Sequence, residues 1–553
     1  MSDEAGSART FDDGAATVTD AIVIGAGFAG LYMLYRLREQ GMSVRGFEAG
    51  GGVGGTWYWN RYPGARCDSE SMYYSYSFLP DLEQEWPLEE RYPGQPEILR
   101  YLEQVADRLK LRVDFTFNSR VTSACYDEDT NRWTVRTADG AEATATYLVT
   151  AVGCLSAANQ PVFPGAGEFG GRMLHTANWP HEPVDLAGKR VGVIGTGASG
   201  IQAIPVIAEQ AGQLTVFQRT AQFTIPAANG PLDPQLAALW KQNYREWRRR
   251  GRHSRAGIPY PASTISALEV PAEQRRAAFE AAWDQGGFMF SQGTFNDLVV
   301  DPRANETAAE FIRSKIDEIV ADPAVADLLK PRTFPFGTKR LPLDTDYYQT
   351  FNRPNVTLVD LRATPIERIT PDGIRTTEAD HPLDVIVFAT GFDALTGPLE
   401  ALGIQGRQGR SLTEAWSQGP KTYLGLAVPG FPNLFTITGP GSPSVLSNMP
   451  VSIEQHVEWI SDCLSYLREH GVAAIEARHD AMELWSDHVQ QVANRTLYPQ
   501  AASWYMGANI PGKPRLFLPY IGGVGHYRDK CAAVAASGYE GFELIGRNEM
   551  AAV

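Results

Sequence analysis

Two glycine-rich turns constrain this chain more than any other feature, because each sits inside a strand, turn, helix and second strand. The first begins with an apolar stretch at residues 21–24 and continues as Gly25-Ala26-Gly27-Phe28-Ala29-Gly30. A helical pattern over 31–40 follows, then a strand over 43–47 that ends at Glu48. The second repeats the plan with a strand at 190–194, Gly195-Thr196-Gly197-Ala198-Ser199-Gly200, a helix to Gln210 and a strand at 214–217. In this setting G-x-G-x-x-G lets the backbone approach a pyrophosphate at a helix N-terminus, so the spacing predicts two dinucleotide sites. The fold class expected is α/β, with two Rossmann-like dinucleotide-binding domains.

The residue closing each unit separates the two sites. Glu48 lies 23 positions after Gly25, and the same count from Gly195 reaches Gln218, with Arg219 next. A carboxylate accepts hydrogen bonds from a free ribose diol, whereas an arginine accommodates a 2′-phosphate. The first site therefore suits the adenosine half of FAD and the second suits NADPH. Behind the first unit, Gly50-Gly51-Gly52-Val53-Gly54-Gly55-Thr56-Trp57 reads as a loop pressed against a flat ligand.

At 553 residues the chain exceeds one hydrophobic core. Strands near 147–151 and 384–389 each end in small residues and mark where the chain passes between domains. The expected division is a flexible tail at 1–19, a discontinuous FAD-binding domain at 20–155 and 385–553, and an NADP-binding domain at 156–384. A helical insertion is expected within the NADP domain at about 225–335. A formal charge of −15 argues against nucleic acid and anionic membranes as partners. The basic run at 244–255 reads as a solvated helix face. Five scattered cysteines form no C-x-x-C and no zinc spacing, which fits a reducing cytoplasm and excludes a disulfide reductase. The N-terminus lacks the basic start and apolar core of a signal peptide. No metal site, nucleophile elbow or H-E-x-x-H helix is present.

Just ahead of the second unit, Phe169, Gly171, His175, Trp179 and Pro180 stand as F-x-G-x-x-x-H-x-x-x-W-P. With residues 54–68, 336–340, 389–393, 439–444 and 503–515, this pattern resembles the type I Baeyer–Villiger monooxygenases, on their phenylacetone and steroid branch. The resemblance implies that NADPH reduces FAD, that dioxygen forms a C4a-peroxyflavin, and that this attacks a ketone to give an ester or lactone. It implies Arg340 as the cation beside the peroxide and Asp68 as its partner, with His175 as a catalytic base or a hinge residue. FAD contacts are expected from Gly25, Gly27, Gly30, Glu48, Thr56, Trp57, Asp68, Tyr74 and Val121. NADP contacts are expected from Gly195, Thr196, Gly197, Ala198, Ser199 and Gly200, with Arg219, Thr220 and Lys339 around the 2′-phosphate, and from Arg340 and Trp504. Ser444, Val445, Leu446 and Met449 fall on the stretch expected to face substrate. The partners implied are a small ketone and O2, with the chain a monomer or weak dimer needing no protein partner. An N- or S-oxidising flavin monooxygenase, or an NADPH-dependent flavoprotein reductase, is the alternative reading.

Overall fold

A computed structural model describes residues 17–546. Its core is two sheets, one mixed and one parallel, each built on one glycine turn. In the first, strand Thr17–Ile24 lies between Val44–Phe47 and Glu142–Thr150, all parallel. The early half of Glu142–Thr150 pairs antiparallel with Arg132–Thr137, and its late half pairs parallel with Leu434–Thr436. Residues past 400 thus return to complete the sheet that the N-terminus starts. The second sheet is wholly parallel, in the order Val356–Asp360, Gln213–Gln218, Arg190–Ile194, Val385–Phe388, Arg172–His175.

Two of the expected boundaries move. Residues 17–19, assigned to the tail, already pair with Ala143, Thr144 and Ala145, so the first strand starts earlier than its apolar run suggests. The rest of the expected tail, up to residue 16, lies outside the described residues. Residues 385–388, assigned to the FAD domain, form an interior strand of the second sheet. The chain therefore leaves that sheet only after Phe388, because these four buried apolar residues need covering on both faces.

The two turns are built alike. Gly25 and Gly195 have φ of +106° and +110°, and a Cβ on either would meet the carbonyl of Ala151 or Ala389 at 2.5 Å. Gly30 and Gly200 press helices Phe28–Glu39 and Ala198–Gln210 onto the turns: a Cβ there would lie 1.7 Å and 2.3 Å from the carbonyls of Gly25 and Gly195. The helix Phe28–Glu39 buries Leu31, Met33, Leu34 and Leu37 in a core shared with Val457, Ile460 and Leu464 of helix Met449–Glu469.

Between strands Gln213–Gln218 and Val356–Asp360 of the second sheet the chain becomes helical. Helices Pro234–Arg252, Pro302–Ile319 and Pro323–Leu329 each start with proline after an aspartate whose carboxylate accepts a backbone N–H of the first turn. Asp-Pro thus caps and pre-sets each helix. In helix Pro234–Arg252 the basic run is a solvated face at Arg245, Arg249 and Arg250, and departs from that reading at one position. Arg248 is buried, pairs with Glu83 at 2.8 Å, and donates to the Tyr73 carbonyl and Ser75 Oγ. This helix therefore clamps the insertion to the first sheet's surroundings. Among the described residues no helix is long and apolar enough to cross a membrane.

Candidate active site

One cavity of about 1430 Å³ runs between the two glycine turns and is walled by both sheets, the helical insertion and the C-terminal loops. A pocket for one small ligand is about 300–1,000 Å³, so this space has room for more than one. Gly25, Gly27, Glu48, Thr56, Trp57, Asp68, Tyr74 and Val121 line one part. Gly195, Thr196, Gly197, Ala198, Ser199, Arg219, Thr220 and Lys339 line another, with Arg340 and Trp504 also on the wall. Gly30 and Gly200 are off the wall, since their part is to seat the helices behind it.

The wall fits two dinucleotides. A Cβ built on Gly197 would meet nothing within 4 Å, so the second turn opens straight into the cavity. Buried Glu48 holds the first turn: its Oε2 accepts from Ala26 N–H and its Oε1 from Gly50 N–H, both at 2.7 Å. Each oxygen retains a lone pair for a ribose hydroxyl. Trp57 donates from Nε1 to the Tyr74 hydroxyl at 3.3 Å and packs on it edge to face.

Arg340 donates from Nη2 to Asp68 Oδ2 at 2.7 Å. The Arg340 side chain keeps 37% of its surface accessible against 6% for Asp68, and that surface opens onto the cavity. Burial pushes the Asp68 carboxyl above its usual range and the guanidinium pulls it back. For Arg340 burial is the largest influence and opposes the charge, but Asp68, Tyr505 and Cys67 together outweigh it, so its pKa is raised. Arginine stays charged at any working pH, and an ionised Asp68 is the form that leaves no buried charge unpaired. The remaining guanidinium N–H groups have no protein acceptor among the described residues.

The model of the pyridine nucleotide-disulphide oxidoreductase family matches residues 22–249. Among curated relatives, acetone monooxygenase (methyl acetate-forming) of Gordonia sp. strain TY-5 is 46% identical, over 96% of this chain and 99% of its own. A Baeyer–Villiger monooxygenase of Pseudooceanicola batsensis is also 46% identical, over 94% and 95%. The chain belongs to the Baeyer–Villiger monooxygenase family. Phenazine N-monooxygenase PhzNO1 of Lysobacter antibioticus is 44% identical over 95% and 96%. Among solved structures, an oxidised steroid monooxygenase bound to NADP is 54% identical, covering 96% of this chain and 100% of that one, with a TM-score of 0.91. The OTEMO complex with FAD and NADP is 40% identical over the same shares, with a TM-score of 0.92.

In this Baeyer–Villiger monooxygenase two further expected site residues, besides Gly30 and Gly200, stand off the cavity wall. Buried His175 accepts the Ala177 N–H at Nδ1, so its proton lies on Nε2, which faces the Asn159 carbonyl at 3.3 Å and Thr390 Oγ1 at 3.1 Å. Burial holds its pKa below the usual value. The ring thus ties the signature strand to the 389–393 crossing. Ser444, expected to face substrate, is turned away: it is fully buried with φ +43°, and its Oγ lies 2.9 Å from Cys154 Sγ. That bend points its neighbours Val445 and Leu446, with Met449, to the wall.

Sequence reasoning missed the insertion's share of the wall, including Phe288, Phe295 and Leu298. The Gly286-Gly287 turn ahead of them, both with positive φ, was the available signal.

Proposed function

We propose that this Baeyer–Villiger monooxygenase uses NADPH, bound FAD and O2 to insert one oxygen atom beside the carbonyl of a small, largely apolar ketone, giving an ester or lactone. The observation that carries this reading is the cavity-facing Arg340 guanidinium, held by Asp68 between the two nucleotide turns. When bound, FAD reduced by NADPH would supply the two electrons that activate O2, one oxygen atom of which enters the ester while the other leaves as water. The first turn, Glu48 and the Trp57–Tyr74 pair would hold FAD, and the second turn with Arg219, Thr220 and Lys339 would hold NADPH. Arg340 contributes a fixed positive charge at the reacting centre. At ~4 Å and an effective dielectric of ~20 it stabilises an anionic oxygen by roughly 4 kcal/mol. Asp68 orients it through one N–H and leaves the others for the reaction. Val445, Leu446 and Met449 exclude water and seat the ketone's apolar body. Trp504 covers the same region and packs on Tyr505, with ring centroids 4.2 Å apart.

The phenazine N-monooxygenase relative favours N-oxidation as a second reading. Oxidising a soft nitrogen needs no cation to stabilise an anionic oxidant, so the Arg340–Asp68 pair favours the ketone. All five cysteines are free, which supports a cytoplasmic setting. The test is NADPH consumption over ketones of increasing size and over N-heteroaromatic compounds, with products identified. Ester formation supports the reading; N-oxide with no ester from any ketone overturns it.

A further inference from the structure

The second sheet brings together two chain segments that are far apart in sequence. Strands Gln213–Gln218 and Val356–Asp360 run parallel with Asp360 opposite Gln218, so the residues after each strand emerge side by side at the carboxyl edge. Leu361 N–H donates to the Gln218 carbonyl at 2.8 Å, extending the pairing one residue past the strands. Arg362 is next. Its backbone is fixed by Asp360, whose Oδ1 accepts the Arg362 N–H at 2.9 Å. Its side chain reaches across: Nε donates to the Arg219 carbonyl at 2.8 Å, and Nη2 lies 3.5 Å from Thr220 Oγ1. Lys339 comes in from a third segment, with Nζ 4.4 Å above the Phe334 ring. Burial, then Arg219, then Arg362 hold the Lys339 ammonium below its usual pKa, which places all three cations within one another's field. Among the described residues none of the three has an ion-pair partner, although carboxylates outnumber cations in this chain.

Three like charges gathered without an anion repel one another, and a dianion placed among them removes that cost. We propose that Arg362 is a third cation of the 2′-phosphate cradle, a specificity residue that attracts the dianion and fixes the main chain of Arg219 and the hydroxyl of Thr220. The inference rests on the NADPH reading of the second turn. It goes beyond that reading, which used only Arg219, Thr220 and Lys339. Arginine suits the place because one planar group can hold a carbonyl through Nε and still present N–H groups to an oxyanion.

The test is calorimetric titration of the oxidised, FAD-loaded protein with NADP+, NAD+ and 2′,5′-ADP, so that turnover is not the readout. Arg362→Ala should weaken NADP+ and 2′,5′-ADP about tenfold, or about 1.4 kcal/mol, and leave NAD+ within about twofold. Arg362→Lys should fall between, since it keeps the charge and loses the planar hold on Arg219. The gap between Arg362→Ala and the parent should shrink as salt is raised, because this side chain is exposed. Equal weakening of NAD+ and NADP+, or unchanged NADP+ affinity, overturns the role of Arg362. A parent protein that binds NAD+ as tightly as NADP+ overturns instead the reading of the second turn.

Discussion

Lys513, on the loop that carries Trp504, is ion-paired with Asp393, three residues past the Thr390 hydroxyl that meets His175. Its ammonium also bonds Thr396 Oγ1 at 2.6 Å and Glu400 at 3.3 Å, while Asn509 Nδ2 donates to the Phe392 carbonyl at 2.6 Å. The loop is thus clipped to the crossing between the two sheets. Replacing Lys513 by Met should free the loop and lower ester yield per NADPH consumed, with little change in thermal stability. Product and peroxide assays at saturating ketone check this; an unchanged ratio would detach the loop from the crossing.

For His175 the expectation concerns pH. Burial lowers the ring's pKa and so favours its neutral form. His175→Gln should lower the rate at every pH without reshaping the profile, because glutamine keeps one donor and one acceptor. Loss of an acidic limb in kcat would restore the general base.

Arg340→Ala should abolish ester formation, a fall of roughly a thousandfold for roughly 4 kcal/mol lost. Flavin reduction should be slowed and measurable. Asp68→Ala should weaken both halves, since it removes the group that orients the guanidinium. Rapid-mixing absorbance of flavin bleaching, run beside product analysis, separates the two. A parent-like ester yield from Arg340→Ala would take the cation out of the chemistry.

Gly197 and Gly200 should part company under the same change. At Gly197 a methyl group enters open space that the dinucleotide would fill, so Gly197→Ala should keep the melting temperature and weaken NADP+. At Gly200 it strikes the Gly195 carbonyl, so Gly200→Ala should lower the melting temperature. Calorimetry with and without NADP+ reads both, and equal melting temperatures would contradict the tight seating of the second helix.

Acid sensitivity should trace to His456. It is fully buried, accepts from Thr438 N–H at 2.8 Å, and lies 2.9 Å from the Tyr527 hydroxyl, and burial lowers its pKa to about 3. Because the folded pKa lies below the unfolded one, the unfolded chain takes up a proton first as pH falls. Stability is therefore full above about pH 6.5 and declines below it, by roughly 2 kcal/mol at pH 5. Urea unfolding at pH 7 and 5 measures the slope, and His456→Asn should flatten it.

The parts readable from sequence were those whose chemistry is local. Gly25 to Glu48 and Gly195 to Arg219 are each contiguous, so a turn, its helix and its closing residue could be counted off. Arg340 and Asp68 are 272 positions apart, and only resemblance to a family joined them. Arg362 depends on which strand lies beside Gln213–Gln218, and strand order is not written in any single segment. Ser444 misled because a positive φ at a serine reversed the side expected of it. Residues 385–388 misled because an apolar strand looks the same in either sheet.

The two crossings between the sheets run alongside each other. Ala158 bridges Phe392, Asn159 N–H donates to the Gly391 carbonyl, and Asp393 and Leu395 donate to the carbonyls of Ala157 and Cys154. The segment between them enters and leaves through a single two-stranded stem. It is therefore a cassette: cut at both sides of that stem, the NADPH module of one family member can be exchanged for another's with the ends already in register. Such an exchange carries Phe288, Phe295, Leu298 and Arg340 with it, so the second turn and the insertion's part of the pocket wall move as one unit.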